Sequence, residues 1–406
     1  MNIVKLFLLK LPMVYKMLFL LHNMYFKFLF FLFSAFPIKT NKIVFSSFGG
    51  GDFSDNPKYI LEELISLPRN LDCVWLIKKD LLTGNHLPNG VRAVPIDTAK
   101  SVYELATASV WVDNIRKPLS FKRSEQFFLQ TWHGMPGLKK IEQDCESLLA
   151  PAYVRYAKID AGQVDIMLAN SNFEKRLMEN SFWYRGPVLL SGTPRNDIFY
   201  CYDGYKIHKK VRKYFNLSNE QKIVLYAPTF RDNGRTDVFD INYQGCIEAC
   251  NHRFGGDHIM LLRLHPNLVN QQILVSDVNV ATSYPDMQEL LFAADILITD
   301  YSSSMFDFML TGRPCFICAC DYVEYTSLRG AYFNLSEIPF PSALTAMQIS
   351  EIILNFDEIA YQRELNDFKK KIMLFEEGTA SKKAVELICS HISCCSKRKS
   401  KKHLKL

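Results

Sequence analysis

The 406-residue chain exceeds one ordinary core, so two domains are expected, and its 48% hydrophobic and 22% charged residues exclude a disordered chain. The net charge of +6 is concentrated at the ends: residues 1–51 carry six Lys and no acid, and residues 397–406 carry six Lys or Arg and no acid. Removing those twelve charges from +6 leaves the body at −6, which argues against a nucleic-acid-binding body and for basic ends that meet an anionic membrane surface.

Residues 1–40 form the first segment. It is apolar but interrupted by Lys5, Lys10, Lys16, His22 and Lys27. Its longest uncharged run, Phe28 to Pro37, falls short of the ~20 residues a spanning helix needs. The pattern predicts a helix or helical hairpin lying in the membrane interface, with lysines reaching the phosphates. The competing reading is a hydrophobic helix packed on the body.

From residue 41 to about 200 short apolar strands alternate with helices: Ile43–Phe48, Cys73–Ile77, Val91–Pro95, Val110–Asp113, Phe127–Thr131, Asp165–Ala169 and Val188–Ser191. That alternation predicts a parallel sheet covered on both faces. Residues 201–221 are polar and read as a linker. The alternation restarts over 222–360, with strands at Lys222–Tyr226, His258–Leu264, Asn279–Thr282, Asp295–Thr299 and Cys315–Ala319. Two helices are expected over 361–395, followed by a basic tail at 396–406. The fold class is therefore α/β, with two Rossmann-like units in tandem and ligands in a cleft at the carboxyl ends of their strands. Cysteines without a framework read as reduced, cytosolic thiols. Cys315, Cys318 and Cys320 lack a second ligand pair at metal spacing, so no metal site is expected there.

The polar residues with chemical potential stand where strands end. His133 follows Phe127–Thr131, Arg195 follows Val188–Ser191, Thr229 and Arg231 follow Lys222–Tyr226, and Arg263 and His265 close His258–Leu264. The stretch Ile296–Thr299 runs into Asp300, Tyr301 and Ser302 to Ser304, then a helix stopped by Gly312 and Pro314. The serines are expected to cap that helix, giving an anion cradle without the glycines of a phosphate-binding loop. Singly, each residue has an ordinary structural explanation. Together they supply two imidazoles, several guanidiniums, a hydroxyl cluster and a helix N-terminus, which suits a phosphate-bearing donor and a proton transfer.

The ordered set Asn56-Pro57-Lys58-Tyr59, Gln130-Thr131-Trp132-His133-Gly134, Gly192-Thr193-Pro194-Arg195-Asn196-Asp197, Tyr226-Ala227-Pro228-Thr229-Phe230-Arg231, Arg263-Leu264-His265-Pro266, Ile298-Thr299-Asp300-Tyr301-Ser302-Ser303, Arg329-Gly330-Ala331-Tyr332-Phe333 and Glu377-Gly378-Thr379-Ala380-Ser381 resembles the CDP-glycerol glycerophosphotransferases of teichoic acid and capsule synthesis. The resemblance implies a GT-B fold whose second domain holds the nucleotide. It implies metal-independent transfer of a polyol phosphate from CDP-glycerol or a related CDP-polyol, with no cofactor and with release of CMP. It also implies a lipid-linked acceptor at the cytoplasmic face of the cell membrane. By resemblance, His133 is similar to the general base and His265 to a second essential histidine. Arg263, Thr299, Ser302, Ser303 and Ser381 fall in donor-binding motifs, and Arg195, Thr229, Arg231, Asp300 and Asp307 complete the expected donor side. The loop Gly134-Met135-Pro136-Gly137-Leu138-Lys139-Lys140 departs from the family's Gly-Thr-Pro-Leu-Lys-Lys on the expected acceptor side. Two other readings compete. One is a nucleotide-sugar glycosyltransferase of the same fold, in which Asp307, five residues before Gly312, would hold the donor ribose. The other is a non-catalytic membrane scaffold.

Overall fold

The computed structural model describes residues 12–83, 87–117, 121–135, 138–200, 203–229, 231, 241–264 and 278–403. His265 therefore lies outside the described residues, as do residues 1–11 and 404–406 of the two basic ends. Helix α1 (Pro12–Phe33) leads into a first α/β domain: β1 (Lys39–Ser46), α2 (Asp55–Ile65), β2 (Asp72–Ile77), β3 (Arg92–Pro95), α3 (Ala99–Thr107), β4 (Ala108–Asp113), β5 (Phe127–Gln130), α4 (Pro151–Ala161), β6 (Ile166–Ala169), α5 (Asn172–Ser181) and β7 (Val188–Leu190). A 3-10 turn at Pro194–Tyr200 and helix α6 (Gly204–Phe215) lead to the second domain. That domain contains β8 (Gln221–Ala227), α7 (Tyr243–Phe254), β9 (Asp257–Leu262), β10 (Asn279–Val280), α8 (Met287–Ala293), β11 (Ile296–Thr299), α9 (Ser304–Phe308), β12 (Cys315–Cys318), α10 (Tyr322–Arg329), β13 (Ser342–Ala343) and α11 (Gln348–Leu354). Helices α12 (Glu358–Ile372) and α13 (Ala380–His403) close the chain.

Both sheets are parallel throughout, ordered β3-β2-β1-β4-β5-β6-β7 and β10-β9-β8-β11-β12-β13. In each, the order reverses between the first strand of the domain and the fourth, at β1/β4 and β8/β11. Ligand-binding crevices open at such points, outside the carboxyl ends of the strands. The central strands are buried on both faces, as their unbroken apolar runs require: Ile43, Val44 and Phe45 of β1 and Ile296, Leu297 and Ile298 of β11 are at most 2% exposed.

The two closing helices part company. Tyr361, Leu365, Phe368 and Ile372 of α12 join the second core, whereas Ala384, Val385, Ile388 and Cys389 of α13 cross back onto the first. The linker segment is likewise structured: α6 buries Val211 in the second core and sets His208 against Phe292. A further crossing matters more for function. Met135 and Leu138, from the loop after β5 of the first domain, are buried in the second domain's core. At about 1.5–3 kcal/mol for each fully buried side chain, this is a substantial tie between the domains. Lys140 N–H donates to Gly330 O (3.1 Å) and Tyr332 N–H to Leu138 O (2.7 Å), extending the tie through main chain.

Helix α1 packs on the body along one side, as the second of the two readings expects. Phe26 and Leu29 pack with Val102 of α3, and Phe30 meets Trp111 edge-on. The opposite side exposes Leu20, Met24, Phe28 and Phe31, the last at 80%. The described part of this segment is a single helix rather than a hairpin, and among the described residues no helix is long and apolar enough to cross a membrane.

Candidate active site

The first-domain side of the cleft is the turn after β5. Trp132 takes a left-handed conformation (φ 52°) and Gly134 follows at φ 98°, so the chain doubles back and lifts His133 from the sheet. Local polar groups hold the turn: Gln130 Oε1 accepts from Trp132 N–H (2.9 Å) and Thr131 Oγ1 donates to Trp132 O (2.9 Å). The His133 ring stacks on Trp132 (centroids 4.3 Å apart) and lies 5.9 Å from Phe48. Its Nδ1 is 2.9 Å from Asn114 O. A carbonyl can only accept, so Nδ1 carries the proton and Nε2 keeps its lone pair. Burial holds the imidazole below its ordinary value, against the Asn114 carbonyl and the Asp55 carboxylate, which raise it. A neutral imidazole with an oriented, basic Nε2 is the form a general base requires.

On the second domain, Asp300 organises the turns after β8 and β11. Its carboxylate accepts from Thr229 N–H (2.8 Å), Thr229 Oγ1 (2.6 Å) and Tyr301 N–H (2.6 Å), and meets Arg231 Nη2 at 2.9 Å. Arg231 is buried. It also forks onto Asp321 (2.7 and 3.0 Å) and lies over the Tyr301 ring. Burial alone would lower its guanidinium; Asp321 and Asp300 instead hold it above its ordinary value. Thr299 is wholly buried and its hydroxyl donates to Ala227 O (2.6 Å), so it ties β11 to β8.

The serine turn differs from the expected cap. Ser303 occupies the N-cap position without a side-chain cap, and Ser302 Oγ accepts instead from Ser304 N–H (3.3 Å) and Ser304 Oγ (2.9 Å). Helix α9 has only 5 residues before a 3-10 turn ends at Gly312 (φ 70°). Ser302 and Ser303 are partly exposed. Arg263 is the cation here without a carboxylate partner among the described residues. Its Nη1 donates to Ala281 O (2.8 Å), Thr282 O (2.9 Å) and Tyr284 O. Its burial without an ion pair lowers it from its ordinary value and leaves a guanidinium suited to an anion.

The remaining expected residues lie where the domains touch. Arg195 is 6% exposed, and its Nη1 meets Asp55 Oδ2 (2.5 Å) and His133 O (2.6 Å) while Nη2 meets Asp307 Oδ2 (2.6 Å). Asp307 Oδ1 accepts from Asn196 Nδ2 (3.0 Å), so both carboxylate oxygens are engaged. Ser381 lies at the crossover into α13: Asp197 accepts its N–H (2.7 Å) and its hydroxyl donates to Pro194 O (3.3 Å). The structure thus gathers His133, Thr229, Arg231, Arg263, Asp300, Ser302 and Ser303 at carboxyl ends of strands, and places Arg195, Asp307 and Ser381 behind them. Sequence reasoning did not single out Asp55, Asn114, Lys58 or Glu376. Lys58 crosses to Asp286 (2.5 Å) and Glu289 (3.2 Å), and Glu376 accepts from Thr193 N–H and Asn196. Only the Asn56-Pro57-Lys58-Tyr59 motif pointed toward this contact. Among the described residues no group of three or more His, Cys, Asp or Glu side chains is arranged to hold a metal ion.

Comparison with known proteins matches this geometry to a family. Residues 28–390 fit the family model described as CDP-Glycerol:Poly(glycerophosphate) glycerophosphotransferase. The chain is 31% identical over 368 residues to the teichoic acid poly(glycerol phosphate) polymerase of Staphylococcus epidermidis, a match covering 86% of this chain and 51% of that one; the chain spans about half that relative's length. It is 30% identical to the teichoic acid glycerol-phosphate transferase of Staphylococcus aureus, covering 88% of this chain and 95% of that one. Among solved structures, the wall teichoic acid polymerase TagF superposes with a TM-score of 0.81 at 28% identity, over 96% of this chain and 98% of that one. A histidine-to-asparagine variant of TagF soaked with CDPG superposes with a TM-score of 0.79.

Proposed function

The chain belongs to the CDP-glycerol:poly(glycerophosphate) glycerophosphotransferase family, and on that premise we propose that it transfers glycerol phosphate from CDP-glycerol to a hydroxyl of a lipid-linked acceptor, releasing CMP, in the synthesis of a teichoic acid-like or capsular polymer. The observation that carries this reading is His133: a neutral imidazole with Nδ1 tied to a main-chain carbonyl and Nε2 left as a base, on a turn seated against the donor domain.

In this mechanism the donor diphosphate lies over the carboxyl ends of β8, β9 and β11. Arg263 supplies positive charge, and Ser302 and Ser303 supply hydroxyls. Thr229 and Arg231, clamped by Asp300, shape the wall. His265 is assigned to the same donor side by resemblance. The acceptor oxygen attacks the distal phosphorus, the bond from that phosphorus to the CMP oxygen breaks, and His133 Nε2 takes the acceptor proton. Positioning and charge stabilisation do most of the work in such transfers.

The exposed apolar side of α1 and the basic ends support peripheral attachment to an anionic leaflet, where a lipid-linked acceptor would be found. The test offers the purified chain CDP-glycerol, CDP-ribitol and UDP-sugars with an acceptor-lipid analogue. CMP release from CDP-glycerol with growth of the lipid product is the expected result, and product length separates single addition from polymerisation. Turnover of UDP-sugars alone would turn the assignment to the glycosyltransferase reading.

A further inference from the structure

We propose that Arg195 is a positioning residue that fixes the main chain of His133 to the donor domain through Asp307, so that the base is aligned only while the domains are in contact. This rests on the assignment of His133 as the base.

Three observations carry it. First, the guanidinium spans three segments: Asp55 at the start of α2, His133 O in the turn after β5, and Asp307 of α9 in the second domain, at 2.5, 2.6 and 2.6 Å. Second, the turn is moulded onto this side chain. A Cβ built at Gly134 would stand 2.1 Å from Arg195 Nη2, and Asn56 joins the same assembly by donating to Trp132 O (3.0 Å) and accepting from Arg195 N–H (3.0 Å). Third, Asp55 Oδ1 accepts from Asn114 Nδ2 (2.9 Å), and Asn114 O is the acceptor for His133 Nδ1. One guanidinium thus supports the base from both its main chain and its ring.

The described contacts of the Arg195 fork run to protein groups rather than to open space. Both Nη atoms are committed, and Nε is buried without a partner. A planar fork reaches three oxygens in fixed directions, which a lysine ammonium at the end of a flexible chain does not reproduce.

The groups that act on the His133 charge are the Asn114 carbonyl, Asp55 and Glu142, which raise it, and Arg195, which lowers it along with burial. Two variants therefore separate position from charge. Arg195→Lys keeps the charge and loses the fork. Its kcat should fall about 10–100-fold, the scale of a roughly 1 Å misplacement of a reacting group, with CDP-glycerol affinity within about threefold of the wild type and the acid limb of kcat/KM unmoved. Arg195→Gln should lose kcat similarly and also move that limb to higher pH, which a variant that merely reduced the folded fraction would not do. Gly134→Ala, which displaces the guanidinium without altering it, should repeat the kcat loss.

Titration of the His133 ring by NMR in the full-length protein, assigned with His133→Asn, reads the same contact without turnover. Arg195→Gln should move it upward and Arg195→Lys should not. Wild-type kcat in the Arg195 variants with an unmoved ring titration overturns the proposal, and so does a loss of CDP-glycerol affinity in proportion to kcat, which would make Arg195 a donor ligand. Retained turnover in His133→Ala removes the base assignment instead, and the ring titration still reports whether Arg195 holds the turn. Should Arg195→Gln fail to fold, Asp307→Asn replaces it: it removes the negative charge across the interface and should give a smaller kcat loss with donor affinity retained.

Discussion

His133 Nδ1 and the main-chain carbonyl of Asn114 lie 2.9 Å apart, and this contact decides which ring nitrogen can act as a base. Because the carbonyl accepts, the proton stays on Nδ1, and burial keeps the ring from taking a second one near neutrality. With His133 as the proposed base, the active form is the unprotonated imidazole, so activity should be lost as pH falls through a value below histidine's ordinary one. The acid limb of a kcat/KM profile measures this directly. Replacement of His133 by Ala should lower kcat about 10²–10⁴-fold while CDP-glycerol binding, read by calorimetry, stays near wild type. A variant that turned over normally would remove His133 from the chemistry.

Asp300 gives the second expectation. It holds Thr229 by both N–H and hydroxyl and, with Asp321, pairs Arg231. Asp300→Ala should release the turn after β8 and remove one carboxylate from the buried guanidinium. The charge-assisted contacts removed are worth roughly 1.5–3 kcal/mol each. The expected result is at least a tenfold rise in the KM for CDP-glycerol, with a smaller change in kcat. CDP titrated into the variant should show the same weakening, because no acceptor is involved. An unchanged KM would place the donor elsewhere.

The sequence made the sheets legible and left the domain contact obscure, for physical reasons. A strand buried on both faces is an uninterrupted apolar run, so β2, β4, β8, β11 and β12 were each visible near their true limits, whereas the polar start of β1 at Lys39 was not. The two-residue β10 and β13 carry too little pattern to define their ends. Residues at strand ends were recognisable as chemistry because topology alone sends them to one crevice. Their division of labour was not. Nothing local in Arg195 or Asp307 tells a ligand for phosphate from a buried ion pair across an interface; that depends on partners at separations of 112 and 140 residues. Likewise the final helix is amphipathic in either domain's service, and only the placement of Ala384 and Ile388 shows that it returns to the first. The serine turn was read correctly as a strand leading into a stopped helix, but its hydroxyls cap each other more than they cap the helix.

Glu376 makes stability depend on pH. Burial pushes its carboxyl up to about 8, against the Thr193 and Asn196 hydrogen bonds that lower it. In the unfolded chain it titrates near 4.5. The folded state therefore keeps a proton that the unfolded state gives up, so the stabilising contribution is complete below about 4.5 and is lost progressively as pH rises to about 8. Glu174, pushed up to about 7 by burial, acts in the same direction. Thermal melts should show Tm falling between pH 5 and pH 8.5. Glu376→Gln keeps an oxygen for Thr193 N–H and has no proton to lose, so it should flatten that slope and gain at least about 1 kcal/mol, roughly 2–4 °C, at pH 8.5. Parallel curves for the two proteins would mean that Glu376 is ionised in the fold.

Helix α1 offers a test that leaves the body untouched. Phe28 and Phe31 are 62% and 80% exposed, while Phe26 and Leu29 on the other side are packed against α3. Exposed aromatic side chains in an apolar row have no folded-state partner to lose, so Phe28→Asp with Phe31→Asp should leave Tm within about 1–2 °C of wild type. Transfer of each ring from water to the acyl boundary contributes about 1.5–3 kcal/mol, so the pair should weaken binding to vesicles containing anionic lipid by about 10²-fold or more. Turnover with a water-soluble acceptor analogue should be unchanged, and turnover with a vesicle-embedded acceptor should fall with binding. If vesicle affinity is instead retained in this double variant and lost on adding salt, the basic ends rather than the apolar row hold the enzyme to the surface, since screening weakens the first and not the second.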